Sequence, residues 1–190
     1  MAATVKTYFD FGGSDGNAAT NQEVDALGPP MLRFKQADDA TIDSNNPIPV
    51  PAAGTERSYW KHIYFKCTGG TFTQIDNIKL YGDGGDFGTG ITLYIGDQNP
   101  TNNSGAPESG YEVADTTNSM VTDHTGISAR TDVHTYTSGS PRTINISESG
   151  SIINASGEMT DYTVWQMEVD NTATAGDLTD EDFTWQYDEI

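Results

Sequence analysis

Apolar and polar residues alternate with a period of two along much of this chain. Val5, Thr7, Phe9 and Phe11 alternate with Lys6, Tyr8 and Asp10. The pattern recurs at Ile63, Phe65 and Cys67, at Ile78 and Leu80, and at Ile91, Leu93 and Ile95. It returns at Ile144 and Ile146, at Trp165, Met167 and Val169, and at Phe183, Trp185 and Tyr187. Successive side chains of a strand point to opposite faces, so each run predicts a strand with one buried face. No stretch of helical periodicity exceeds one or two turns, and 21–27 is the candidate for a short one. Gly69-Gly70 predicts a tight hairpin connection, while 82–90 and 99–110 read as loops. The prolines at 29, 30, 47, 49 and 51 keep 12–56 out of central strands. That segment is expected to be a long arm or loop, draped over the chain's own body or over a neighbour. The elements fit an all-β protein, an antiparallel β-sandwich of jelly-roll or immunoglobulin-like type with long loops, as a single domain over 1–190.

Composition first argues against this picture and then for it. Leu, Ile, Val and Phe make up only 33 of 190 residues, and the formal net charge is -19. Together these values fall in the range of disordered chains. Disordered chains are also poor in aromatics, and this one has 7 Phe, 3 Trp and 9 Tyr. Each large ring buries roughly 150–250 Å², so the rings replace the missing aliphatics.

The acidity narrows the partners. Phosphate neutralisation needs clustered Lys and Arg, so nucleic acid is not expected as a partner. An anionic membrane surface is disfavoured on the same ground, and no run approaches the roughly 20 apolar residues of a membrane-spanning helix. The charge is uneven: residues 1–100 carry 7 basic and 12 acidic side chains, and 101–190 carry 2 and 16. Arg57, Lys61 and Lys66, with Lys79, concentrate the positive charge of 51–80 and are candidates for contact with a negatively charged partner. They also read simply as solvated strand faces. The N-terminal residues lack a secretory pattern, and the one cysteine, Cys67, excludes an internal disulfide. Folding in a reducing cytoplasm is expected, and the glycosylation patterns at Asn102, Asn145 and Asn154 read as chance.

Little of the chemistry-bearing vocabulary is specific. His62, His124 and His134 have no partner at zinc-ligand spacing. No Gly-x-Ser-x-Gly elbow is present, and Asp10-Phe11-Gly12 lacks every other kinase element. Twenty-eight carboxylates do not single out a glycosidase pair. Asp83 with Asp86, and Asp97 in an Asn-rich turn, offer oxygens for calcium. The same residues are ordinary turn formers. Tyr59, Trp60, Tyr94 and Tyr111 would make a sugar-stacking platform if exposed and core if buried.

Two parts of the chain carry a resemblance. One is RSYWKHIYFKCTGGTFTQIDNIKLY at 57–81 followed by GITLYIG at 90–96; the other is WQMEVDNTATAG at 165–176 with FTWQYDE at 183–189. This order of strand, short Gly connection, strand with an Asn-Ile-x-x-Tyr run, late Ala-x-x-Gly corner and last aromatic strand resembles small β-sandwich virion proteins of tailed viruses. They include capsid decoration proteins and some tail or neck components. The resemblance implies a non-enzymatic decoration or cement protein without a cofactor, on the capsid surface of a bacteriophage-like virion, assembled in the host cytoplasm. The implied partners are the major capsid protein or another virion protein, and further copies of this chain in an oligomer, typically a trimer. A contact surface is expected in the less acidic half, through Val5 and Tyr8 of the first strand, Pro47 and Pro49 of the arm, and Arg57, Lys61 and Lys66. The alternative is a carbohydrate-binding or adhesion module of a tail fibre or cell surface, with calcium as its cofactor.

Overall fold

The computed structural model describes residues 2–27, 32–97, 110–176 and 178–190. The larger sheet contains β1 (Thr4–Phe11), β2 (Thr20–Glu23), β3 (Thr55–Arg57), β4 (Lys61–Gly69), β6 (Ile91–Asp97), β7 (Thr131–Asp132) and β9 (Thr163–Asp170). Its order is β2-β1-β4-β9-β6-β7, with β3 also paired to β9. The smaller sheet contains β5 (Ile75–Gly82), β8 (Arg142–Thr143) and β10 (Phe183–Glu189), in the order β10-β5-β8. All these pairings are antiparallel, so the chain is an all-β sandwich.

Register decides which residues meet between the sheets. Phe9 lies opposite Ile63, Thr7 opposite Phe65, Lys61 opposite Trp165 and Leu93 opposite Met167. The odd-numbered positions of the large sheet therefore share one face. There Ile63, Phe65, Cys67, Leu93, Ile95 and Trp165 pack against Ile75, Ile78 and Leu80 of the small sheet. Phe65 sits with its ring centroid 5.6 Å from Trp185 and 5.2 Å from Tyr187. Trp165 meets Phe183 edge-on at 5.0 Å. Aromatic rings bridge the two sheets, as the composition required.

Several expectations need correction. Gly69-Gly70 does not close a hairpin, because β4 and β5 belong to different sheets. Gly70 turns the corner between them at φ 102, and a Cβ there would lie 2.5 Å from the Ala2 carbonyl oxygen. The stretch 21–27 is not helical throughout: its start completes β2, and only Asp25–Leu27 makes a 3-10 turn. The Ile144 run is a strand only at Arg142–Thr143. The arm folds onto the chain's own body. Leu32, Phe34, Ala40 and Ile48 pack against the main core, and the Tyr59 N–H donates to the Lys35 carbonyl.

The largest departure concerns β9, which is buried on both faces through seven successive residues. Its outer face is covered by residues 110–130. Trp60 and Val164 pack there against Ala114, Met120 and Ile127. Gln166 fastens this cover: its Oε1 accepts from the Met120 N–H at 2.8 Å, and its Nε2 donates to the Ser58 and Asn118 carbonyls. The fit is close at Gly96, where a Cβ would come within 2.7 Å of the Ile127 side chain. A polar position on an alternating strand was thus an anchor for a third layer.

Candidate functional site

A groove of about 560 Å³ lies at the β5–β8 edge of the small sheet. It originates in one residue of β5. Asn77 adopts a left-handed backbone (φ 50). The pairing of β10 with β5 steps from Gln186–Lys79 to Asp188–Asp76, so Asn77 and Ile78 together face Tyr187. This is a β-bulge, which bends the strand and interrupts its ladder. On the other edge of β5 the Ile144 N–H still reaches the Ile78 carbonyl, and Ile153 pairs with Ile75. Between these two contacts the chain leaves the strand and the groove opens. Asn77, Thr143, Asn145, Ser147, Ser151 and Asp161 supply its polar lining. Ile78, Ile144 and Ile146 supply its apolar lining. Asp161 is 2 % exposed, and its two oxygens accept from the Ser147 N–H and hydroxyl. It is thereby a support for the groove wall.

A second cluster lies beneath the 110–130 cover. His62 and His124 meet Nε2 to Nε2 at 2.9 Å. His124 Nδ1 accepts from the Gly126 N–H, so its proton is on Nε2, which donates to His62 Nε2. His62 Nε2 also accepts from the Glu112 N–H at 3.4 Å, which places the His62 proton on Nδ1. That Nδ1 is buried with no hydrogen-bond partner among the described residues. Burial pushes His62 well below the usual histidine range, reinforced by His124. Burial also lowers His124, against the opposing pull of Glu112 and Asp15. Nearby, Asp10 accepts from the hydroxyls of Tyr64 and Tyr162. His62 packs at 4.6 Å from the Tyr111 ring and 5.0 Å from that of Tyr162. The Tyr111 hydroxyl is buried without a partner among the described residues and is pushed up by burial, then by Asp38. This cluster is sealed, so its chemistry is that of a structural polar layer.

The residues singled out from sequence are dispersed. Tyr8 and Lys66 share the outer face of the β1–β4 pair, with the Lys66 ammonium 5.9 Å from the Tyr8 ring centre. Val5 faces inward, half-buried at the sandwich margin. Pro47 and Pro49 are exposed on the arm. Lys61 is only 1 % exposed, and burial lowers its ammonium to about 8. It lies on the inner face, donating to the Asp39 carbonyl and sitting 4.8 Å from the Phe9 ring centre, so it is not a surface contact. Its even-numbered neighbours are the ones that face outward, and the arm covers its own side. Trp60 and Tyr111 are buried, and Arg130 stacks on Tyr94 at 3.9 Å, so no open aromatic platform forms from these rings.

The calcium candidates take part in local structure. Asp83 accepts from the Gly85 N–H and Asp86 from the Gly88 N–H, each bracing its own turn. Asp97 is paired with Arg142, and the turn that follows it lies outside the described residues. Among the described residues no three His, Cys, Asp or Glu side chains converge as a metal site.

Arg57 is held within the chain. Its Nε donates to Glu168 at 2.7 Å, and Arg130 donates to both oxygens of the same carboxylate. Burial alone would raise the Glu168 carboxyl; the two guanidinium groups outweigh it and hold it low. Glu168→Gln is expected to cost about 1–2 kcal/mol, because the amide nitrogen cannot accept, so at least one of the three bonds is lost and both guanidinium groups lose their counter-charge. Urea denaturation at neutral pH reads this directly, and an unchanged midpoint would refute it.

The groove and the histidine pair both escape sequence inspection. The histidines are 62 residues apart and share no spacing motif. The polar phase Thr143, Asn145, Ser147 was visible only as a solvent face, and the Asp76-Asn77 pair inside a strand was the one local sign of a bulge. Comparisons with protein-family models, curated proteins and solved structures find no match for this chain.

Proposed function

We propose that the protein is a structural component of a virus particle, a decoration protein that binds and stabilises the shell of a tailed virus. The observation that supports this reading is the free edge of β10. Among the described residues β10 pairs laterally only with β5. The small sheet ends at β10, whose Trp185 and Tyr187 lie over Phe65 of β4; β1 is the next strand beyond. Phe183, Trp185 and Tyr187 are only half-buried, and Val5 on the inner face of β1 is half-buried as well. An extended segment of a shell subunit added to β10 would pair with the open backbone and cover these side chains. β1 is a poorer clamp, because β4 flanks it over Thr4–Asp10 and β2 over Tyr8–Phe11.

Charge favours a foreign partner at this edge. Residues 178–190 contain five acidic and no basic side chains, so two copies would repel along β10. A trimer would therefore form through another surface. The test is hydrogen exchange of the protein free and bound to shells of its virus. The amides of 183–189 on the open edge should exchange rapidly when free and slow by about tenfold or more when bound. Shells that bind the protein without slowing those amides would move the contact elsewhere; shells that do not bind it would overturn the decoration role.

A further inference from the structure

We infer that the groove beside the Asn77 bulge is a binding site for a neutral saccharide. This inference is independent of the shell-binding role, since β10 and the groove use opposite edges of β5.

Three observations carry it. The first is backbone strain at one place. Three non-glycine residues among those described have a left-handed backbone: Asn46, Asn77 and Ser151. Two of the three, Asn77 and Ser151, line this groove. Such conformations persist where surrounding contacts over-determine them, and they concentrate at sites that hold ligands. Asn77 is held by its Nδ2, which donates to Asp188 at 2.9 Å. This leaves its Oδ1 as an acceptor.

The second is the chemistry of the lining. Asn77, Thr143, Asn145 and Ser151 are exposed side chains that present hydroxyl or amide groups, and Ser147 lies among them. Hydroxyls and amides both donate and accept, which is what neighbouring sugar hydroxyls require. Ile146, half-buried in the same segment, offers apolar contact for the C–H face of a pyranose ring, while Ile144 anchors the wall in the core. The volume of about 560 Å³ suits one or two sugar rings.

The third is what charge excludes. Among the described residues the lining contains no Lys, Arg or His, so no cationic side chain there would attract an anion. The one carboxylate of the lining among the described residues, Asp161, is buried with both oxygens accepting from Ser147, so it is not presented to a cation. A neutral, hydroxyl-rich ligand is the class left.

The experiment is a screen of the intact protein against a panel of neutral oligosaccharides, with spermidine and inorganic phosphate as charged controls. Hits are followed by NMR titration. At least one neutral oligosaccharide should bind and shift the amides of 143–147 and 77–78, with no response to the charged controls. Asn145→Ala should weaken that binding about tenfold, the loss of one or two hydrogen bonds. Asn145→Trp should block it by filling the groove. Asn145 is exposed, so both variants should keep the parent's thermal midpoint and report on binding alone. No neutral oligosaccharide binding up to about 10 mM, a stronger response to either charged control, or full binding by the Asn145→Trp variant would each overturn the assignment.

Discussion

Between pH 7 and pH 5 the protein is expected to lose about 2 kcal/mol of stability through His62 alone, with a further loss through His124. Both histidines have folded pKa values below the unfolded 6.5. Below 6.5 the unfolded chain therefore binds more protons than the native one. Stability is fully present above that value and falls as pH drops toward the folded pKa, by about 1.4 kcal/mol per unit for each histidine that stays neutral.

The hydrogen bonds explain why neither can accept a proton in place. A proton on His62 Nε2 would face the Nε2–H of His124, and one on His124 Nδ1 would face the Gly126 N–H. Glu112 and Asp15 ease the charge on His124, while the rings of Tyr111, Tyr162 and Trp60 offer none to the pair. Asp38 works in the opposite sense: burial raises its carboxyl, so its protonation relieves the native state. The measurement is urea denaturation at several pH values for the parent and for the double variant His62→Phe, His124→Leu. The parent should steepen below pH 6.5 and the variant should not. Parallel curves would show that the histidines contribute nothing to acid lability.

Phe65→Ala is expected to cost about 3–5 kcal/mol, a large part of the roughly 5–15 kcal/mol that holds a domain together. Phe65 is 1 % exposed at the centre of β4, and Trp185 and Tyr187 rest on it from the other sheet. Removing it forfeits the transfer energy of the ring and leaves a cavity between two sheets that cannot close over it. The drop in melting temperature should be roughly 10 °C. Phe65→Leu should recover most of the loss, while Phe72→Ala, at a half-buried site, should cost less than half as much as Phe65→Ala. A melting point within a degree or two of the parent for Phe65→Ala would show that the aromatics do not carry the core.

The groove and β10 teach a related lesson about the two edges of β5. β10 continues in register until the Asn77 bulge, and its side chains Phe183, Trp185 and Tyr187 follow the alternation seen in the sequence. On the other edge the same bulge ends the pairing after Thr143, so an apparently equivalent alternating run at 143–147 becomes a groove wall. Period-two patterning reports which face a residue takes. It does not report whether a neighbour is there to pair with.

By itself the sequence determined the strand class and most strand positions. β1, β4, β5, β6, β9 and β10 all sit on runs whose alternation is a local property of consecutive residues, and the aromatic count supplied a core despite few aliphatics. Tertiary structure alone decided what lies against each face. The outer side of β9 is buried because 110–130 arrives from far along the chain to bond Gln166. Lys61 is buried because the arm folds back over it, and His62 acquires its character only when His124 is brought to 2.9 Å. The physical reason is one of range. Pleating fixes side-chain direction within a few residues, whereas burial, pKa and pairing depend on segments whose arrival no local pattern encodes.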